Sequence, residues 1–169
     1  MFKINLGVFA FGAVLFSVYL GVVVTTSIRF DQDCEGYLKR AADANTVELA
    51  KKQLDIALNY IENEGLTNNY TSVLWKTPDE DISFWYTNLI AARIDLESIT
   101  EDSTGLERSN MLMKLRETLL DQGESSMHVT HPSGISLYPH NGMLGTIAFI
   151  GFGLMLVSSC GMLFSASNK

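Results

Sequence analysis

The sequence predicts a mainly α-helical membrane protein, in which two transmembrane helices bracket an extracytoplasmic helical bundle of about three helices. Residues 4–28 contain no Asp, Glu, Lys or Arg, and residues 143–164 form a second run of the same kind. About 20 apolar residues in an α-helix cross the hydrocarbon core of a bilayer. The chain therefore divides into an N-terminal tail (1–3), a first span (4–28), a central domain (29–142), a second span (143–164) and a C-terminal tail (165–169).

Charge is confined almost entirely to the central domain. All 19 acidic residues and all but two of the 12 basic residues lie between Arg29 and Glu124, and the two exceptions are Lys3 and Lys169. The central domain is therefore strongly acidic. Such a surface repels phosphate groups, which argues against a nucleic-acid partner.

The short tails predict the orientation of the chain. Each tail carries one lysine, and basic residues in short flanks favour the cytoplasmic side, whereas long loops translocate largely regardless of charge. We expect both termini in the cytoplasm and the central domain outside, in the periplasm if the protein is bacterial. A cleaved signal peptide is the alternative for residues 4–28, but this run is longer than a usual signal core and lacks a clear small-x-small cleavage site.

Small residues recur along both predicted spans. Small side chains let helix backbones approach closely within lipid. We expect helix packing, either between the two spans or between neighbouring subunits, at six positions: Ala13, Ser17 and Gly21 in the first span, and Gly145, Ala148 and Gly151 in the second.

The first helix of the central domain is predicted to continue from the first span and to end at Gly65. Its apolar residues follow a coiled-coil-type spacing: Phe30, Cys34, Tyr37, Ala41, Val47, Ala50, Leu54, Ala57 and Ile61. Asn45 and Glu48 resemble an N-cap and its N3 partner. The segment is therefore either one long bent helix or two helices with a break near Asn45.

Two further helices are predicted from capping boxes. Thr77-Pro-Asp-Glu80 precedes a helix whose apolar face contains Ile82, Trp85, Tyr86, Leu89, Ala92, Leu96 and Ile99. Thr104-Gly-Leu-Glu107 begins a helix that runs to about Gln122, with Gly123 as its stop. The aromatic cluster 84–86 fits either a ligand cage or core filling, and core filling is the more common use of such residues.

A short β-like hairpin is predicted before the second span. Residues 127–130 and 135–138 have the composition of short strands, and His131-Pro-Ser-Gly134 fits a four-residue turn with proline at its second position. We expect this hairpin to lie along or beside the helices.

The sequence contains no pattern typical of a catalytic or metal site. On a strand and turn, His128 and His131 are expected to point their rings to different sides, so they would not share a metal ion. Ser158 and Ser159 lie in a span without a basic partner, and no glycine-rich phosphate loop is present. We therefore expect no catalytic residues, no cofactor and no metal.

Two residues leave alternatives open. Cys34 is either a buried apolar residue or one half of an intermolecular disulfide. Asn69-Tyr-Thr matches the acceptor pattern for N-glycosylation, which also arises by chance.

These observations favour a non-enzymatic integral membrane protein with a structural or interaction role. It would form a homo-oligomer or serve as a small subunit of a larger membrane complex, with membrane lipid around its spans. A small two-span homo-oligomeric channel is one alternative, although Ser17, Thr25, Thr146, Ser158 and Ser159 form a poor polar stripe.

A membrane sensor or ligand-binding module is the other alternative. Two spans around an external helical bundle are similar in plan to the membrane-proximal part of bacterial chemoreceptors and sensor kinases, and the similarity is one of architecture, without a shared motif. Since only residues 165–169 follow the second span, signalling would require a partner protein.

Overall fold

The structure is a computed structural model that describes residues 2–74, 76–122 and 127–167. The Gly123 helix stop and the Lys169 tail lie outside these ranges. Helix accounts for 76% of the structure, which confirms the mainly helical class. Two helices are long and apolar enough to cross a membrane, Lys3–Ala42 and Asn141–Ser165.

The chain folds as two compact units. The first, which we call the two-helix unit, comprises Met1–Thr26 and Pro139–Lys169, and the second, the central unit, comprises Ser27–Tyr138. The two-helix unit contains most of helix α1 (Phe2–Phe30) and helix α6 (Asn141–Ser167). All the other helices and strands belong to the central unit.

Helical structure continues beyond α1 through one π-helical turn, Asp31–Glu35, into α2 (Gly36–Ala42). The backbone N–H of Gly36 donates to the carbonyl of Asp31, five residues earlier, which is the π-helical hydrogen bond. A Cβ at residue 36 would lie 2.9 Å from that carbonyl oxygen. Glycine therefore accommodates the wider turn at this position.

A break separates α2 from α3 (Val47–Asn63), so the two-helix alternative is the correct one. The Thr46 hydroxyl accepts a hydrogen bond from the Leu49 N–H at 3.2 Å. Thr46 is therefore the N-cap, and the prediction of Asn45 was wrong by one residue. Among the described residues, the central unit consequently has four α-helices, where about three were expected. Gly65, in the left-handed conformation at φ +68°, follows the end of α3 as predicted.

Helix α4 spans Ile82–Glu97 and α5 spans Gly105–Leu119. Thr104 and Glu107 form the predicted capping box: the Thr104 N–H donates to the Glu107 carboxylate at 2.7 Å, and the Glu107 N–H donates to the Thr104 hydroxyl. The box at Thr77 caps a short 3₁₀ turn, Pro78–Glu80, and not α4 itself. Asp81 is the N-cap of α4, so that start was predicted four residues too early.

The only sheet among the described residues is a two-stranded antiparallel one, and its pairing differs from the prediction. Strand β1 (Leu120–Gln122) pairs with β2 (Met127–Val129), with Leu120 opposite Val129. The chain that had been expected to extend α5 therefore supplies the partner strand. The second predicted β segment forms a 3₁₀ turn, Ile135–Leu137, preceded by Gly134 at φ +71°. The predicted four-residue turn before it is shifted by one residue. The Ile135 N–H donates to the Pro132 carbonyl, so proline occupies the first position of the turn and not the second.

One apolar core lies between α2, α3, α4 and α5 of the central unit. Every residue of the predicted seam is buried except Tyr37, which is half-buried. The predicted face of α4 is buried except for Tyr86, which is half-buried, and Ile99 is half-buried beyond the end of the helix. Ion pairs join the outer edges of these helices, including Arg93 to Asp55 (2.6 Å) and Lys114 to Asp95 (2.7 Å).

Candidate functional site

Within the two-helix unit, α1 and α6 make their closest approach at two glycines. A Cβ at Gly12 would lie 2.7 Å from the carbonyl oxygen of Gly151, and a Cβ at Gly151 would lie 3.0 Å from that of Gly12. The rings of Phe16 and Phe152 lie next to this point, with centroids 6.2 Å apart. Only glycine at both positions lets the two backbones come this close.

Of the six predicted packing residues, the structure places Gly151 in this contact. Ala13 and Ala148 are half-buried, whereas Ser17, Gly21 and Gly145 are exposed. No atom lies within 4 Å of a Cβ built at Gly21 or Gly145, so these positions have open space in the isolated chain. The prediction that they pack against neighbouring subunits remains a prediction.

Sequence reasoning missed two residues of the contact, Gly12 and Asn5. Gly12 lies one residue before the spacing-of-four series that starts at Ala13, so the periodicity pointed to an adjacent face of α1. Asn5 packs on Gly161, where a Cβ would lie 2.5 Å from the Asn5 amide nitrogen. An amide within an otherwise apolar run is a signal that should have indicated Asn5, because polar side chains within lipid seek partners.

In the central unit, a groove of about 300 Å³ opens at the beginning of α4. Its walls include two carboxylates, Asp79 and Asp81, and three rings, those of Phe84, Trp85 and His131. Phe84 is 66% exposed, so much of its ring is open to solvent. Trp85 is buried in the core, as the core-filling alternative expects, while Phe84 borders the groove and the ligand-cage alternative stays a prediction.

Two sets of hydrogen bonds fix the walls of the groove. The Asp81 carboxylate oxygen Oδ1 accepts from the Phe84 N–H at 3.1 Å, which caps α4 and orients its first turn. The Trp85 indole Nε1 donates to the Thr130 carbonyl at 2.8 Å. This bond joins α4 to the segment after β2, and His131 and Pro132 of that segment form the opposite wall.

His131 connects the groove to the π-helical turn that follows α1. Its Nε2 lies 3.7 Å from the Glu35 carboxylate, and its ring stands edge-on to Phe30 with centroids 5.3 Å apart. Burial raises the pKa of Glu35. The positive charge of protonated His131 opposes this rise, and a hydrogen bond with Asp31 adds to it. Glu35 therefore holds a proton more readily than an exposed glutamate does.

Cys34 lies in the same π-helical turn and is completely buried. Burial raises the pKa of its thiol to about 12, and the neighbouring Glu35 carboxylate adds to the rise. Since the thiolate is the reactive form, Cys34 is chemically inert in the folded chain. Its burial corresponds to the first of the two sequence alternatives.

The described residues include no group of side chains arranged as a metal centre. Within residues 2–74, 76–122 and 127–167, no three His, Cys, Asp or Glu side chains are grouped so that they could hold a metal ion. The hydroxyls of Ser158 and Ser159 donate to carbonyls of their own helix, at 2.7 Å each. What the arrangement offers is an aromatic and acidic groove for binding.

Comparison with known proteins supplies no relative for this arrangement. The chain matches no protein-family model, and no curated protein or solved structure is significantly similar to it.

Proposed function

We propose that the chain is a non-enzymatic integral membrane protein that crosses the bilayer twice, through α1 and α6. It acts by self-assembly or as a small subunit of a membrane complex. Both termini lie in the cytoplasm, and the acidic central unit lies outside. Membrane lipid and further protein chains are its partners, and nucleic acid is not.

The observation that carries this proposal is the exposure of the two apolar helices. In the most apolar 18-residue stretches of these helices, only 6% and 11% of the residues are buried. Phe149 is 81% exposed, and Val157 and Leu163 are each 73% exposed. A helix that is apolar on all sides requires either a protein interior or a lipid environment, and the chain itself provides no interior around these two.

Self-assembly is supported by the small residues that the contact between α1 and α6 leaves uncovered. Ser17, Gly21 and Gly145 are exposed on apolar helices, where a neighbouring helix can approach closely. The channel alternative has less support. The hydroxyls of Thr25, Thr146 and Ser158 donate to carbonyls four residues earlier in their own helices. Hydroxyls bonded in this way offer fewer donors to an ion path.

The decisive experiment is the mass of the particle solubilised in mild detergent, measured by native mass spectrometry with its subunits identified. We expect a homogeneous multiple of the 18.7 kDa chain. Ser17→Leu and Gly21→Leu should reduce that mass. Val18→Leu, at an exposed position of the same helix outside the small-residue series, should leave it unchanged. Retention of the full mass by both small-residue variants would remove this interface from the proposal.

Orientation requires a separate test, because Cys34 is buried and cannot report it. A cysteine introduced at Asp102, an exposed loop residue, should react with an impermeant maleimide in intact cells. Both native cysteines are replaced with alanine in that variant. Reaction only after lysis would place the central unit in the cytoplasm.

A ligand-binding or sensor module is the second candidate function, and the groove at α4 is the observation that favours it. His131 contributes to the wall of the groove and also faces Glu35 in the turn after α1. A ligand that contacts His131 would therefore alter the surroundings of that half-buried carboxyl group. Ligand binding in the groove would therefore act on the π-helical turn between α1 and α2.

A further inference from the structure

We propose that the groove at the beginning of α4 binds a small organic cation, an ammonium group carried by an apolar or aromatic body. The proposal rests on the second candidate function and names the class of ligand for it. It is independent of self-assembly, because every residue involved belongs to the central unit.

The charges around the groove favour a cation. Asp79 and Asp81 border it, and the only basic side chain among the described residues of its walls is His131, which also faces the Glu35 carboxylate. The N-terminus of α4 contributes about half a positive charge, which offsets only part of two carboxylates. Asp79 has no ion-pair partner within the described ranges, and Asp81 uses only Oδ1 to cap the helix. The carboxylates of Asp79 and Asp81 can therefore still pair with a cationic ligand.

The rings around the groove favour an ammonium group with an apolar body. Phe84 offers its exposed ring, and the Trp85 indole is held in place by its bond to Thr130. The negative face of an aromatic ring attracts cations, and the exposed ring of Phe84 presents such a surface at the groove. Pro78, Pro132 and Leu89 supply apolar surface beside these rings. An inorganic ion would leave that surface without a partner.

The size of the groove limits the ligand to a small molecule. Ligand sites in proteins enclose roughly 300–1,000 Å³, and this groove, at about 300 Å³, lies at the lower limit. A single amine with one ring or a short alkyl chain is suited to that volume. The amide of Asn88 and the hydroxyl of Thr118 are additional polar groups in the walls, available for the N–H groups of such a ligand.

The test is calorimetric titration of the full chain in zwitterionic nanodiscs, with empty nanodiscs subtracted. The probes are phenethylammonium and its neutral counterpart 2-phenylethanol. We expect one molecule of the amine to bind per chain, with the alcohol binding about tenfold more weakly, since it lacks the charge that pairs with the carboxylates and the rings.

Substitutions of the groove residues test whether the amine binds at this groove. Asp79→Asn combined with Asp81→Asn keeps a capping side chain at residue 81 and should weaken amine binding about tenfold, with alcohol binding unchanged. Phe84→Ala, at an exposed position, should weaken amine binding about fivefold. The matched controls, Asp102→Asn and Ile94→Ala, are exposed and lie outside the groove, so they should change nothing. Circular dichroism verifies that each variant is folded.

Each contrary result has a defined meaning. Equal binding of the alcohol and the amine would overturn the cation class and leave the ligand-binding function standing. Amine binding that persists in the double asparagine variant would overturn the assignment to these carboxylates. Absence of binding by both probes at millimolar concentration would overturn the site, and the self-assembly measurement would be unaffected.

Discussion

Replacing Gly12 with alanine should separate α1 from α6, whereas the same replacement at Gly21 should not. The new methyl group at residue 12 would lie 2.7 Å from the Gly151 carbonyl oxygen, although ordinary contact begins near 3.4 Å. The helices must therefore move apart by about 0.7 Å, and neither backbone atom can rotate away. At Gly21 the methyl group meets no atom within 4 Å.

The two substitutions should differ in the sign of their effect on stability. Overpacking a close contact costs about 1–3 kcal/mol. Alanine in an open helical position is favoured over glycine by about 0.5–1 kcal/mol, because glycine loses more backbone entropy. Gly12→Ala should therefore destabilise the contact between the helices, and Gly21→Ala should leave it unchanged or strengthen it.

Pyrene labels on a cysteine introduced at Lys3 and on the exposed native Cys160 provide the assay, with Cys34 replaced by alanine. Asn5 packs on Gly161, so the two labels are close enough to form an excimer. The SDS concentration that abolishes excimer emission measures the stability of the contact. An excess of unlabelled protein removes emission that arises between chains. Equal shifts for Gly12→Ala and Gly21→Ala would refute the assignment of the contact to Gly12.

Three further predictions concern the central unit, each measured by thermal unfolding in mild detergent. Thr46→Ala should cost about 1 kcal/mol by removing the α3 cap, whereas Asn45→Ala should cost little, and the reverse order would restore the sequence prediction. Leu54→Ala should cost about 2–5 kcal/mol because its side chain is fully buried, while Leu49→Ala, at 43% exposure, should cost far less. The free energy of unfolding of the wild-type chain should fall as the pH rises above 4.5, the ordinary carboxyl pKa, and Glu35→Gln should abolish this fall. There the folded chain binds more protons than the unfolded chain, so wild-type stability falls relative to the variant, and parallel profiles would contradict this.

The sequence predicted the features that depend on residues close together in the chain. The Thr104 capping box forms as expected because its partners are three residues apart. The buried seam from Phe30 to Ile61 follows helical periodicity, which survives the break at Thr46. The error of one residue at that cap arose because Asn45 and Thr46 are both good N-caps, and only the backbone path selects between them.

The β pairing was mispredicted because strand partners are chosen by tertiary contacts. Residues 120–122 were expected to complete α5, yet they pair with β2. Leu119 and Val129 are both buried in the common core, and the Thr130 N–H donates to the Leu119 carbonyl at 2.9 Å. Because the chain changes from helix to strand at this point, the backbone groups of β1 form their hydrogen bonds with β2, and β2 lies against the core.

The candidate groove depends still more on tertiary structure. Asp79 and His131 are far apart in the sequence and contribute to the same walls, and the bond from Trp85 to Thr130 links the two segments that carry them. The sequence by itself determined two long apolar helices, an acidic helical domain between them and the helix ends at Gly65 and Thr104, because composition, periodicity and caps act within a few turns. Only the tertiary structure decided that Gly12 meets Gly151, that β1 pairs with β2 and that acidic and aromatic side chains share a groove. Each of these requires segments distant in the chain to pack in one particular register.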